Sequence, residues 1–418
     1  VLRAVRVEDA YANLVLPHVL ARLGLSGRDA AFATELASGA LRLQGRYDAI
    51  LGRCVDRPLA KVEARVLDAL RLGAHQLLGM RVPDHAAIST TVDLVRAKAN
   101  AGAAGFANAV LRRVAARSLD DWLADLPLAE RTSHPAWVVE ELREAAGEEQ
   151  LTAVLDADNT PPRVVLVARP GLAVREELPG QPTALSPYGV VLEGGSPGDL
   201  DAVREGRAGV QDEGSQLIAV ALAQAAIDGP DTRWLDLCAG PGGKAALLAA
   251  LARRQGAGLV ANEVQPHRAG LVAANLRATG GTVIAADGIR PPFPPGTFDR
   301  VLVDAPCTGL GALRRRPEAR WRRRPQDVPV LVDLQTRLLG SALDLIRPGG
   351  VVLYSTCSPV LAETRGVVEA VLDGRDDVTL TPLALAVPDA EGPLPGTLQL
   401  WPHRHGTDAM FLALLTRR

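Results

Sequence analysis

The feature that most constrains this chain is an alternation that begins beyond Gln211. Apolar runs end at Leu237, Val260, Ile284, Val303 and Leu353, and helical segments separate most of them. Short apolar runs divided by helices predict an α/β fold: a parallel sheet covered by helices, with ligands bound beyond the carboxyl ends of its strands. The residues that carry chemistry should then follow each run directly, and in this sequence they do. Ahead of Gln211 the pattern differs. Residues 1 to 125 read as all helix: Val66, Leu70, Ala74 and Leu77 recur at helical spacing, bounded by Pro58 and Pro83. Further helices are expected from Ala86 to Ala99 and from Gly105 to Arg117. The second of these ends in Arg112, Arg113 and Arg117, cations suited to a helix C-terminus. Short amphipathic helices with short connections predict an all-α bundle. Next come a helical stretch from Trp137 to Leu155, an apolar run from Val164 to Ala168, and a Gly/Pro-rich region over 170–209. These predict a small α+β subdomain or an elaborated connector. The expected division is 1–125, 126–210 and 211–418.

Composition narrows the function. With 418 residues, 47 % apolar and 22 % charged, the chain is globular and long enough for two or three domains. No uncharged apolar run approaches the ~18 residues of a membrane span, so no membrane partner is expected. Cys54, Cys238, Cys307 and Cys357 form no CxxC pair and no His/Cys ligand spacing. That argues against a metal centre and against a disulfide-stapled secreted domain. A formal net charge of −2 excludes a uniformly basic nucleic-acid binder and leaves room for a local basic patch. Only Lys61, Lys98 and Lys244 are lysines among the 46 basic residues, so a lysine placed beside a glycine-rich turn draws notice. The first residue is Val1, so the lack of a targeting segment says little.

After the first run stand Cys238, Ala239, Gly240, Pro241, Gly242, Gly243 and Lys244, followed by an Ala/Leu-rich helical stretch. Glycines let the backbone approach a ligand closely, and the next helix offers free N–H groups. A P-loop is disfavoured, because Cys238 stands where it needs glycine and Ala245 where it needs Ser or Thr. GxGxxG fails here too; a plain strand-to-helix turn is the alternative. The second run leads to Asn262 and Glu263, a carboxylate placed to accept from ribose hydroxyls or else a solvated strand end. The third leads to Asp287, which either meets an adenine amine or forms an Asp-Gly turn with Gly288. The fourth gives Asp304 and Cys307, and the fifth gives Cys357. A lone cysteine is usually a small buried hydrophobe. Two, each just after a strand of one parallel sheet, face one crevice, where a thiolate can attack an electron-poor carbon. Between them Arg314, Arg315, Arg316, Arg320, Trp321, Arg322, Arg323 and Arg324 form the only dense basic segment. Phosphate contacts with a stacking aromatic suit RNA, and Arg112 and Arg113 join that candidate set; a solvated loop is the alternative. His403, Arg404 and His405 make a second short basic element, without further ligands for a metal.

These residues are identifiable as a set. LDLCAGPGGK (235–244), VDAPCTGLGALRRRPEARWRR (303–323) and YSTCSP (354–359) strongly resemble the RNA cytosine-C5 methyltransferase family. VQDEGSQ (210–216) is similar to its lead-in motif and HGTDAMFLALL (405–415) to its C-terminal strand. RDAAFATELASGALR, LRLGAHQLLGM and GAAGFANAVLRR, all within 28–113, resemble a NusB-like RNA-binding domain. Together they resemble the bacterial Sun/RsmB type of 16S ribosomal RNA methyltransferase. The resemblance implies a NusB-like bundle, a small α+β subdomain and a Rossmann-like methyltransferase domain. It also implies S-adenosylmethionine held by residues 238–244, Glu263, Asp287 and Asp304. Cys357 matches the family nucleophile and Cys307 the cysteine that assists release; the chemistry of adding a thiolate at C6 would let Asp304 support it by hydrogen bonding or proton transfer at the base's N3/N4 edge. Ala245 stands where the family often has Thr, and Asn262-Glu263 replaces a hydrophobic-Asp pair. The partner implied is unassembled or partly assembled 16S rRNA, met by a cytoplasmic monomer. A tRNA or other-rRNA cytosine methyltransferase, or a noncatalytic ribosome assembly factor, are the competing expectations.

Overall fold

The computed structural model describes residues 1–80 and 82–418. The chain divides into two compact units: one holds residues 1–140, 151–161 and 313–322, the other 141–150, 162–312 and 323–418. This grouping differs from contiguous borders at 125 and 210. The stretch 162–210 falls with the larger sheet, and 313–322 falls with the helices.

The first unit is helical, with its main helices at Ala12–Arg22, Gly27–Arg42, Gln44–Cys54, Ala64–Leu78, Asp84–Lys98 and Ala101–Ala115. The last begins earlier than apolar spacing suggested because Asn100 caps it, its side-chain oxygen accepting from the Ala103 N–H at 2.9 Å. Tyr47, Ile50, Leu51, Leu70, Ala74, Ala107, Leu111 and Val114 form its core. The helix expected over 137–155 is two helices, Ala136–Ala146 and Glu148–Asp158, interrupted at Gly147, whose φ of 81° is left-handed.

The arginine-rich segment contributes residues 313–322 to this unit. Arg320 is fully buried; its guanidinium donates to Ser133 O at 2.9 Å and Asn159 Oδ1 at 3.0 Å. Arg322 donates to the carbonyls of Val5 and Ala10 and pairs with Asp9 at 3.0 Å. Glu318 accepts from the Ala12 N–H at 3.0 Å, and the Trp321 ring lies so near Gly45 that a Cβ there would meet it at 2.5 Å. The expectation that the whole segment is an RNA-facing loop is therefore corrected for Arg320 and Arg314, which are buried, and for Arg322, which is engaged by backbone carbonyls. Burying a guanidinium demands internal acceptors, and this unit supplies them to the terminal nitrogens of Arg320 while its Nε has none. Arg316, Trp321 and Arg324 stay exposed.

The second unit carries two sheets. The smaller is antiparallel, built from β1 (Val165–Ala168), β2 (Gly180–Pro182), β3 (Gly189–Leu192) and β4 (Ala208–Val210), in the order β2-β3-β1-β4. The larger contains β5 (Arg233–Asp236), β6 (Gly258–Asn262), β7 (Thr282–Ile284), β8 (Phe298–Asp304), β9 (Ile346–Thr356), β10 (Val378–Thr381), β11 (Leu398–Gln399) and β12 (Phe411–Arg417). Its order is β10-β12-β9-β8-β5-β6-β7, with β11 beside β12. Strands β5 to β9 are parallel, as the five apolar runs predicted, and β12 is antiparallel to both β9 and β10. Side chains alternate between two apolar layers. Trp234, Leu302, Leu353 and Leu412 pack with helices Glu213–Gln224 and Gly243–Arg254. Leu235, Val301, Val303, Val352 and Phe411 pack on the other face with Asp327–Leu345 and Arg365–Asp373. Successive connections leave β5 to one side through β6 and to the other through β8. The ligand crevice of such a sheet therefore opens beyond the end of β5.

Among the described residues no helix is long and apolar enough to cross a membrane, and no group of His, Cys, Asp or Glu is arranged to hold a metal ion.

Candidate active site

The loop after β5 turns sharply into helix Gly243–Arg254, and Gly242 at its start has a φ of 111°. A Cβ on Gly240 would fall 1.9 Å from Glu263 Oε2, so a larger residue here would have to displace the carboxylate after β6. Cross-ties fix the loops. Asn262 donates from Nδ2 to Leu237 O at 3.0 Å and accepts at Oδ1 from the Ala286 N–H at 3.1 Å. Arg268 donates to Gly240 O at 2.9 Å and lies 3.4 Å from Glu263. Glu263 is buried, and its Oε1 accepts from the Gln265 N–H at 3.0 Å. Asp287 is exposed and accepts from the Ile289 N–H at 2.9 Å, the local turn bond expected of an Asp-Gly pair.

Deeper in the crevice, Lys244 Nζ lies 2.9 Å from Asp304 Oδ2, and Ser355 Oγ donates to Asp304 Oδ1 at 3.3 Å. Burial works against the Lys244 charge, but Asp304, Cys357 and Asp236 outweigh it and hold the ammonium above its ordinary pKa. Asp236, at the end of β5, has no exposure; burial first, then the charge of Asp304, push its carboxyl up to about 8. Its Oδ1 accepts from the Cys238 N–H at 3.3 Å, while its buried Oδ2 has no hydrogen-bond partner. Burial together with Asp236, Asp304 and Glu263 pushes the Cys238 thiol well up, so Cys238 stays protonated.

The two later cysteines meet: Cys307 Sγ and Cys357 Sγ are 3.4 Å apart. Cys307 is buried, Cys357 partly exposed. The hydrogen bond with Cys357, then burial, then the charges of Cys357 and Glu363, push the Cys307 thiol well up. Arg323 donates to Thr308 O at 3.2 Å and Cys307 O at 3.3 Å, which gives this arginine a part in shaping the loop after β8. Asp236, Ser355 and Glu363 escaped the sequence reading. Asp236 hides inside the apolar run that forms β5, and Glu363 lies in a short turn, Leu361–Glu363, with no motif around it.

A sheet of this order, with a glycine cradle after β5 and a buried acid after β6, defines the S-adenosylmethionine-dependent methyltransferase class. Residues 224–416 match the family described as 16S rRNA methyltransferase RsmB/F, and residues 1–116 match the NusB family. Rv1407 of Mycobacterium tuberculosis, named as a methyltransferase, is 50 % identical over 100 % of this chain and 94 % of its own length. Ribosomal RNA small subunit methyltransferase B of Escherichia coli is 33 % identical over 89 % of this chain and 88 % of its own. The solved structure of PH0851 shares the fold with a TM-score of 0.81 at 23 % identity, covering 96 % of this chain and 93 % of that one. The chain belongs to the RsmB/F family of 16S rRNA methyltransferases, with a NusB-like helical region at its N-terminal end.

Proposed function

We propose that this protein methylates C5 of a cytosine in 16S ribosomal RNA, using S-adenosylmethionine, through a covalent bond between Cys357 and C6 of the base. The single observation that carries this reading is the pair of thiols 3.4 Å apart in the crevice beside the Lys244–Asp304 pair. The residues fit the methyl donor: the cradle at 238–244 brings the Gly240 backbone close against Glu263, and Glu263 offers a buried acceptor there. Glu263 would take the ribose hydroxyls, Asp287 the adenine edge, and Asp304 and Lys244 the polar groups nearest the sulfonium. When bound, the cofactor supplies a methyl group made electrophilic by its sulfonium.

Cytosine C5 is too weak a nucleophile to take a methyl group unaided. Attack by the Cys357 thiolate forms the S–C6 bond and moves the C5=C6 electron pair to C5. Asp304 holds the N3/N4 edge while that charge develops. The thiol left protonated is Cys307, because its neighbour's hydrogen bond and charge, with Glu363, oppose its ionisation. Once Cys357 is a thioether, its charge no longer opposes Cys307. C5 would then take the methyl group with that electron pair; Cys307, its own proton passed to solvent, takes the C5 proton, the C5–H electrons restore the ring double bond, and the S–C6 pair returns to Cys357 as the thiolate. Admitting a thiol to C6 requires an unstacked base, which favours single-stranded or flipped-out RNA in the cytoplasm. Exposed Arg112, Arg113, Arg316 and Arg324 are the arginines proposed to meet phosphates.

The test separates the thiols. Cys357→Ser is expected to abolish turnover and leave no adduct, since a serine hydroxyl is scarcely ionised near neutral pH. Cys307→Ala is expected to stall joined to methylated RNA, seen as a denaturation-resistant band mapping to Cys357. An adduct trapped by Cys357→Ser and absent from Cys307→Ala would reverse the roles. No adduct in either, with bisulfite maps of rRNA unchanged on loss of the protein, would refute the function.

A further inference from the structure

One carboxylate outside the cofactor cradle touches both cysteine loops. Glu363 is fully buried and its side chain accepts four hydrogen bonds. Oε1 accepts from the Thr308 N–H at 2.8 Å and Gln335 Nε2 at 2.9 Å. Oε2 accepts from Thr308 Oγ1 at 2.5 Å and Ser358 Oγ at 2.6 Å. Thr308 follows Cys307 and Ser358 follows Cys357, and the two hydroxyls are themselves 3.0 Å apart. Gln335 also donates to Pro306 O at 2.8 Å, and Tyr354 on β9 donates to the Glu363 carbonyl at 2.7 Å. A buried carboxylate is stable only when donors surround it, and here the donors are the residues flanking the two thiols.

We propose that Glu363 is a positioning residue for the methyl transfer: its carboxylate ties the loop after β8 to the loop after β9 and so holds Cys307 against Cys357. This rests on the reading that the two thiols do the chemistry. Glu363 touches neither base nor cofactor in that reading; it acts through the loops. Its charge also opposes ionisation of Cys307, which keeps that thiol the proton carrier and leaves Cys357 the attacker. The other groups facing the thiols are Lys244 from the helix after β5, its partner Asp304 at the end of β8, and Tyr354 on β9.

Glu363→Gln is the informative variant, because an amide fits the same space: its oxygen can serve Thr308 N–H and Gln335, and its NH2 can donate to a hydroxyl. Glu363→Ala removes the tie, and Glu369→Gln, on the exposed side of the next helix, is the control. Two measurements are made on the full-length protein after confirming unchanged hydrogen-exchange protection in the sheet unit and unchanged S-adenosylmethionine affinity. The first is the pH profile of iodoacetamide labelling at Cys307 and Cys357, read by peptide mapping. In Glu363→Gln, labelling of Cys307 is expected to begin at lower pH, because a negative charge has gone. The second is kcat and KM for RNA methylation. Misplacement of a reacting group by an ångström costs about 100-fold, so Glu363→Ala is expected to lose about that in kcat with little change in KM. A folded Glu363→Gln with the wild-type labelling profile overturns the proposal, whatever the RNA assay reads. Wild-type kcat in a folded Glu363→Ala overturns it as well. If the wild-type protein methylates no RNA, the function proposed above fails, and the labelling profile still decides the role of Glu363.

Discussion

Replacing Arg320 tests whether the arginine-rich segment is architecture or RNA contact. Its guanidinium lies in a site closed to water, with Ser133 O at 2.9 Å and Asn159 Oδ1 at 3.0 Å; Asp158 O, at 3.4 Å, contributes less. Arg320→Ala leaves the buried Ser133 carbonyl and the half-buried Asn159 side-chain oxygen without this donor and opens a void the length of the side chain. At about 1–3 kcal/mol for each stranded acceptor, plus the lost packing, the expected cost is about 3–5 kcal/mol to the helical unit. The chain has two units, so a single unfolding midpoint is a poor measure. Hydrogen exchange resolves the change locally. Amides in Leu128–Arg131 and Glu148–Asp158 are expected to lose about 100-fold or more of their protection, since ~1.4 kcal/mol is a factor of ten. Arg320→Lys keeps the charge but cannot span both acceptors, and should fall between. Arg324→Ala, on an exposed residue, should change stability by less than about 0.5 kcal/mol. If Arg320→Ala leaves exchange untouched and instead flattens the salt dependence of RNA binding, the structural account of this segment is wrong.

Three further outcomes follow from the site. Gly240→Ala forces a methyl against Glu263 Oε2, on a carboxylate whose other oxygen, Oε1, is tied to the Gln265 N–H, and should weaken S-adenosylmethionine binding by about 10- to 100-fold in calorimetry; unchanged affinity would remove the cradle from the cofactor site. Asp236 has a native pKa near 8 against an ordinary 3.8, so the native state binds more protons than the unfolded state between those values. Its contribution to stability is full below pH 3.8 and is lost as pH rises towards 8; Asp236→Asn should remove that downward slope from a stability–pH curve, and an identical slope would refute the assignment. Lys244→Met leaves Asp304 without its cation at 2.9 Å, and should cut kcat/KM by at least about tenfold while the helical unit keeps its exchange protection.

Much of this was legible in the order of residues. A parallel sheet needs apolar runs of fixed spacing, and the chemistry falls at their ends, so β5 to β9 and the residues after them could be read directly. Helix starts were less legible, because Asn100 and Pro83 set them through capping and backbone geometry rather than through apolar spacing. The arginine segment misled for a physical reason. Dense positive charge ordinarily faces water or phosphate, and nothing local announces that Ser133 and Asn159, some 160–190 residues away in sequence, supply acceptors for Arg320. Glu363 was invisible for a related reason: its four donors come from the loops after β8 and β9 and from a separate helix, so no short pattern encodes them.

The placement of 313–322 among the helices has a consequence for synthesis. A ribosome releases the first 161 residues long before it makes the strip that completes their packing. Translation at about 5–20 residues per second puts a wait of roughly 8–30 s between the two. During that interval the carbonyl of Ser133 and the side chain of Asn159 await Arg320, while the strands from β5 to β8 emerge. The N-terminal helices would then be made before the larger sheet and yet be among the last elements to become fully protected. A pulse-labelling experiment on stalled nascent chains ending before and after residue 322 would see the difference.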